Sequence, residues 1–323
     1  MVAAVTVRKN GFAEFAYVGA KAWHGLGNEL KAGASIEEWV QMAGMDYRVQ
    51  RSKIRYVSGT GPDAVHVMDD THVLFRSDTK GALGVVSDSY KVVQPKEVLE
   101  FFRDLLPEGF TLNTAGTLFD GKQCWALAHI GEEAVVIGKD GIRGFLLLST
   151  SFDGSRKTTA KFVCERVVCN NTLSIALGEK GDQVKVSHRS EFDPKKVKEK
   201  LGVAQGAFRE FVLQARTLAK TKIDRAAAEK FMIELLEDTK TIFSEDPTKA
   251  KPFIGIRDRF RGQGMGANAV GAEDTLWGLV NAVTEYVDHG ARAKTDSHRL
   301  SSAWFGRGDD LKTAALQKAL VLV

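Results

Sequence analysis

The chain of 323 residues has 44% hydrophobic and 27% charged side chains, which is typical of a globular protein and excludes wholesale disorder. No apolar run approaches the ~20 residues that a membrane span needs, and the start, MVAAVTVRKNGFAEF, lacks the pattern of a secretory signal. The three cysteines form no disulfide framework, so we expect a cytoplasmic protein of one or two domains.

The charge is distributed unevenly along the chain. Residues 1–150 hold 16 basic and 18 acidic side chains, whereas residues 151–323 hold 29 and 23. The formal net charge is +4 and the pI is near 8.8. A basic second half suits a polyanion-binding face, although solvated lysines alone produce the same balance.

The N-terminal part predicts mostly strands and turns. Ser35 and Glu38 have the spacing of a capping box, which predicts a helix over 36–43. Alternating and β-branched residues predict strands over 47–57 and over 65–75, the latter around a turn at Asp69-Asp70. Further predicted elements are a helix over 96–106 and strands over 110–119, 122–130, 145–151 and 158–168.

From Asp193 the pattern becomes helical. Apolar residues at steps of four and three, from Val197 to Leu218, predict a hairpin of helices. Other helices are predicted over 226–237, from 274 and over 311–322, separated by irregular basic connectors at about 250–273 and 290–309. The predicted fold class is therefore α+β. A mostly antiparallel or mixed sheet with a packed helix forms domain 1–190, and a helical region, 191–323, packs on it.

Patterns for nucleotide and metal sites are weak. Six residues separate Gly131 from Gly138, where a Walker A loop has four, and Arg261–Gly266 lacks the glycine spacing of a dinucleotide fingerprint. Cys164 and Cys169 lie five residues apart, which points them to opposite faces of a strand. We therefore expect buried structural cysteines, no metal and no nucleotide cofactor.

Three basic segments beyond residue 150 predict a nucleic-acid contact, because cations bind phosphates and aromatic rings stack on bases. The first combines a turn, an aromatic ring and four cations: Phe152, Arg156, Lys157, Lys161 and Arg166. The second is a glycine-rich loop with three alternating arginines: Arg257, Arg259 and Arg261. The third interleaves cations with Trp304 and Phe305: Arg292, Lys294, His298, Arg299 and Arg307.

Several strings, in this order along the chain, carry a family resemblance: WHGLG (23–27), SFDGS (151–155), RVVCNNTL (166–173), TLWGLVNAVTEYVDH (275–289) and LKTAALQKAL (311–320). Together they resemble the phage/plasmid-like protein family of unknown function, the domain of unknown function 932. That resemblance implies a gene of a mobile element and DNA metabolism in the cytoplasm of a bacterial host, and it supplies no catalytic residues. The helix–hairpin–strand order over Pro95–Leu177 is also similar to single-strand annealing proteins of the Rad52-like class, whose rings hold single-stranded DNA in a basic groove.

The favoured hypothesis is a homo-oligomeric, sequence-tolerant binder of single-stranded DNA that promotes annealing or recombination, without metal, nucleotide or membrane. In it, Phe152 stacks on a base, the four cations after it contact phosphates, and the loop Arg257–Gly266 clasps the backbone. Two alternatives stay open. One is an interaction protein that blocks or recruits a host factor through an apolar patch. The other is an enzyme whose site combines His24 or His129 with an acidic residue.

Overall fold

The computed structural model describes residues 6–19, 26–61, 64–167, 171–174, 183–202, 206–242, 246–269 and 271–323. The strands in these ranges are β1 (Phe15–Val18), β2 (Asn28–Leu30), β3 (Val49–Val57), β4 (Val65–Arg76), β5 (Ala82–Ser87), β6 (Thr111–Leu118), β7 (Gln123–Ile137), β8 (Asp140–Ser151), β9 (Thr158–Arg166), β10 (Asn171–Ser174) and β11 (Gln183–Val186). The α-helices are α1 (Ile36–Met42), α2 (Pro95–Glu100), α3 (Pro194–Gly202), α4 (Ala207–Lys220), α5 (Arg225–Asp238), α6 (Lys251–Asp258), α7 (Leu276–Glu285), α8 (Asp296–Phe305) and α9 (Arg307–Leu320).

The strands form one large and one small sheet. The large sheet has the order β10-β9-β8-β7-β6-β1-β2, and β11 also pairs with β9. Its strand pairs are antiparallel except for β1 and β2, which run parallel. The small sheet is antiparallel, in the order β3-β4-β5. With helices concentrated in the C-terminal part, the fold is α+β, as the sequence predicts.

The two faces of the large sheet contribute to different apolar clusters. On β7, Cys124 and Ala126 face the main core, whereas Trp125 and Leu127 face a second, smaller cluster. The main core unites the sheet and α1 and α2 with side chains from the C-terminal helices. Helix α8 covers part of the second face with Trp304 and its neighbours. The N-terminal and C-terminal parts thus share one hydrophobic core. The division of the chain into two domains near residue 190 stays a prediction.

Local capping chemistry sets several helix starts. The Ser35 side chain accepts from the Glu38 backbone N–H, and the Glu38 carboxylate accepts from the Ser35 backbone N–H, so the predicted capping box is confirmed. Asp224 caps α5 by accepting from the backbone N–H of Ala227 at 2.8 Å. Helix α7 begins at Leu276, two residues after the predicted start at Asp274, because Thr275 is its N-cap.

Two predictions of irregular structure were wrong. The connectors expected at about 250–273 and 290–309 contain α6, a π-helical turn at Arg259–Gln263, and α8. These helices are short, so they lack the long apolar period that predicts a helix from sequence. Asp69 and Asp70 do not form a turn either: β4 continues through them, and the pairing register shifts opposite Lys53 and Ile54.

Candidate nucleic-acid interface

Lys161 is buried in the structure and is not available to a phosphate. Its ammonium donates to Asp309 Oδ2 at 2.7 Å, to Ser174 Oγ at 3.0 Å and to the Trp304 carbonyl. These contacts use all three of its donors. Burial lowers the pKa of Lys161, although Asp309 opposes that shift. The predicted phosphate contact is therefore corrected: Lys161 joins the sheet to α9.

Arg166 is also buried, in a hydrogen-bonded cluster. Its Nε and Nη2 donate to the two carboxylate oxygens of Asp140 at 2.7 and 2.8 Å. Trp277 Nε1 donates to the same carboxylate at 2.9 Å. This bidentate pair links β9, β8 and α7, and it replaces the predicted contact with a phosphate.

In the turn between β8 and β9, two of the three residues predicted to contact nucleic acid are buried or engaged within the protein. Phe152 is 0% exposed within the main core, so it cannot stack on a base. Arg156 donates to the Phe305 carbonyl and to Ser301 Oγ, and burial lowers its pKa. Both predictions are corrected, because both side chains serve internal packing. Lys157 alone is exposed, with no partner in the described ranges of the chain.

The three arginines of the predicted loop are each engaged by a carboxylate. Arg257 pairs with the adjacent Asp258 at 2.9 Å, and Arg259 lies 3.5 Å from Glu285. Arg261 pairs with Glu229 of α5. These carboxylates neutralise the three arginines. The loop therefore does not offer the free cations with which it was predicted to clasp a nucleic-acid backbone.

A contact between Tyr90 and His188 brings three distant segments together. The two rings stack with centroids 4.3 Å apart. Tyr90 Oη donates to the Ser151 carbonyl at 2.7 Å, and the ring nitrogens of His188 lie 2.9 and 3.0 Å from the carbonyl oxygens of Lys91 and Arg156. The segment after β5, the β8–β9 turn and the segment after β11 therefore meet at one junction.

Four exposed cations lie in or beside the segments that meet at this junction and have no carboxylate partner in the described ranges: Arg51, Lys157, Lys185 and Arg189. Arg55 shares this property and lies four residues beyond Arg51 on the same face of β3. We call these five residues the basic track. Arg51 is fixed to the junction because it donates to the carbonyls of Asp88 and Tyr90. Lys157 and Lys185 flank the paired residues Val186 and Thr158, so they are near neighbours on the sheet.

Beyond β5 the β3–β4 hairpin continues as a two-stranded ribbon with both faces exposed. Tyr56 is 51% exposed and stacks on His66 of the opposite strand at 5.1 Å. Ser58 Oγ lies 2.7 Å from Nε2 of His66 and holds that ring in place. The remaining exposed apolar side chains of the ribbon are Val57, Val65, Val67 and Met68. We call residues 54–57 and 65–68 the ribbon.

The ribbon and most of the basic track were not predicted from the sequence. Their strands were predicted in part, but no function was assigned to cations before residue 150 or to Lys185 and Arg189. The alternation of Arg51, Lys53 and Arg55 was the available signal, since alternate residues of a strand share one face.

Other candidate residues fall outside this interface. His24 and Cys169 lie outside the described residues. Cys124 and Cys164 are buried and unpaired, and burial raises the pKa of both thiols. Within the described ranges, no group of three or more possible ligands could hold a metal ion, and no helix is long and apolar enough to cross a bilayer.

The fold and site define an α+β protein whose antiparallel sheet is tied to C-terminal helices by buried ion pairs. Residues 82–304 match the profile of the family described as Domain of unknown function (DUF932), and the chain belongs to that family. The match includes the β8–β9 turn and β11 but not β3 and β4. No curated protein and no solved structure matches the chain.

Proposed function

We propose that the protein binds single-stranded nucleic acid along the basic track. The observation that carries this proposal is the junction at Tyr90 and His188, which gathers free cations from three separate segments. Phosphates attract such cations through long-range electrostatics and release condensed counterions when they bind. Lys161 and Arg166 are buried, so the phosphate contacts that the sequence predicted for them are assigned in this proposal to the cations of the basic track.

The ribbon supplies the contact to bases. Tyr56 is exposed and one face of its ring stacks on His66, so the other ring face is available for stacking without a large loss of side-chain entropy. Because Tyr56 follows Arg55 in β3, the bases would stack on the face of the ribbon opposite to Arg55. Stacking does not depend on base identity, because every base has a π-face. The binding is therefore expected to be sequence-tolerant, as suits annealing or recombination of a mobile element's DNA.

Annealing requires two strands to be held at once. A homo-oligomer, such as a ring, would present one basic track for each copy and would satisfy that requirement. This assembly belongs to the proposal, together with the phage or plasmid setting that the family resemblance implies.

Removing three track cations together, as Arg55→Ala/Lys157→Ala/Arg189→Ala, is expected to weaken single-strand binding. The expected loss is roughly 100-fold near 0.1 M salt, with a slope of log affinity against log salt that is shallower by about 2. Fluorescence anisotropy with two unrelated labelled oligonucleotides across a salt series measures both quantities.

The matched control removes three exposed cations on other elements, as Lys31→Ala/Lys220→Ala/Lys251→Ala. Both triple variants lose the same charge, so a nonspecific charge effect would weaken them equally. Equal affinities for the two variants would contradict the proposed track.

The exposed apolar side chains of the ribbon favour a second candidate, an interaction protein that blocks or recruits a host factor. Apolar patches of this kind bind proteins with an affinity that moderate salt leaves unchanged. The double change Val65→Thr/Val67→Thr keeps the β propensity of the ribbon and lowers its hydrophobicity. Loss of a salt-resistant partner with this variant, and unchanged oligonucleotide affinity, would favour the second candidate over the first.

A further inference from the structure

A polar row crosses the second face of the large sheet at the end away from Trp125. Glu133 of β7 pairs with Arg143 of β8, which pairs with Glu165 of β9. His129 lies one row further along β7, where it pairs with Phe145. These side chains point to the same side, because cross-strand partners share a face. None of them belongs to the basic track or to the ribbon.

Two hydrogen-bond donors in this row are buried without an acceptor. Among the residues that the structure describes, Arg143 Nε and His129 Nε2 have no hydrogen-bond partner. Nδ1 of His129 accepts from the backbone N–H of Gly131 at 3.3 Å, so Nε2 carries the ring proton. Folded proteins pair most of their buried donors, and an unpaired donor indicates a missing partner.

Glu133 lies between the two donors but satisfies neither. Its Oε1 is 3.3 Å from Arg143 Nε and 3.8 Å from His129 Nε2, without hydrogen-bond geometry. The Glu133 side chain is 63% exposed, so it can swing away into solvent. A carboxylate oxygen therefore already lies close to the position at which both donors would bind an oxyanion.

Both donor side chains of the row are partly exposed, Arg143 to 43% and His129 to 19%, whereas the Arg143 Nε and His129 Nε2 atoms are buried. A ligand therefore reaches these two donors once the exposed Glu133 side chain has moved away. The ring of Phe145 contacts the imidazole edge-on at 5.3 Å and fixes its orientation. Burial raises the pKa of Glu165, the cross-strand partner of Arg143, and the charge of Arg143 opposes that shift.

We propose that Arg143 and His129 form a binding site for the carboxylate or phosphate group of a small ligand, which displaces Glu133. The planar guanidinium donates through Nε and one terminal nitrogen, the geometry that suits two oxygens of one anion. His129 donates the third hydrogen bond through Nε2. This site is independent of the proposed nucleic-acid contact.

The test uses the full-length protein labelled on arginine, with the Nε–Hε resonances followed by NMR during titration with inorganic phosphate and, separately, with acetate. The Arg143 resonance is expected to shift saturably at millimolar concentration. The resonance of Arg225, an exposed arginine of α5 without an ion pair in the described ranges, serves as the internal control. A response to acetate alone identifies a carboxylate ligand, and a response to phosphate alone identifies a phosphate.

Two substitutions distinguish an anion-binding site from a purely structural role of these residues. His129→Gln is expected to weaken anion binding about tenfold, equivalent to ~1.4 kcal/mol. Glu133→Gln is expected to tighten it severalfold, because the competing carboxylate is removed from an exposed position that folding does not need. Non-saturating shifts of equal size at Arg143 and Arg225, or unchanged affinity in both variants, would overturn the proposal.

Discussion

Replacing Asp309 by alanine is expected to lower the free energy of unfolding by about 3–5 kcal/mol, because it leaves the buried Lys161 ammonium without a counter-charge. Asp309 accepts from Lys161 at 2.7 Å and from Ser174 Oγ at 2.7 Å, so the change also orphans a hydroxyl. Urea unfolding followed by circular dichroism measures the loss.

The control for this prediction is Glu191→Ala, which removes the exposed partner of Lys91. Exposed pairs contribute about 0–1 kcal/mol, so this variant should unfold nearly as the parent does. The double change Lys161→Met/Asp309→Leu should recover much of the loss, since neither charge is then buried. A loss for Asp309→Ala no larger than that of the control would show that Lys161 is not held as the structure describes.

Replacing Gly278 by alanine is expected to destabilise the protein by roughly 3 kcal/mol or more, as a severe case of overpacking. A Cβ at this position of α7 would lie 1.8 Å from the backbone carbonyl oxygen of Ala272, which cannot move as a flexible side chain can. Thermal or urea unfolding measures the loss.

Helix propensity alone predicts that Gly278→Ala raises the free energy of unfolding, because alanine is favoured over glycine within a helix by about 1 kcal/mol. Gly59→Ala is the matched control, since a Cβ there meets nothing within 4 Å. If Gly278→Ala raised stability, α7 would have to pack further from Ala272 than the structure shows.

Local chemistry made part of the fold predictable from the sequence. The Ser35–Glu38 capping box and the Asp224 cap depend on side chains three residues from their partners, so their spacing is visible in the chain. The hairpin at Asp120-Gly121 likewise joins β6 and β7 as predicted, and Gly121 adopts a positive φ of 87°. Such features need no knowledge of the tertiary structure.

The burial of the predicted cations could not be read locally. The partner of Lys161 lies 148 residues away, and that of Arg166 lies 26 residues away. In the sequence, Lys161 and Arg166 have the pattern of exposed residues on a strand that follows a turn. Only the packing of α9 on the sheet brings Asp309 to Lys161, so the ion pair follows from tertiary structure rather than from spacing.

The basic track was hidden for the same reason. Arg51 and Arg189 belong to segments that are distant in sequence and meet where Tyr90 stacks on His188. Of the four cations predicted in the first basic segment, Lys157 alone keeps an exposed, unpaired side chain in the described ranges. The excess of cations thus favours a polyanion partner, but which of these cations are exposed to it depends on the tertiary structure.

Lysine acetylation with and without a bound single-stranded oligonucleotide, read by mass spectrometry, tests the central claim most directly. We expect Lys157 and Lys185 to lose reactivity in the complex, while Lys220 and Lys251 keep theirs. Protection of Lys251, beside the predicted arginine loop, together with unprotected Lys157 and Lys185, would contradict the account.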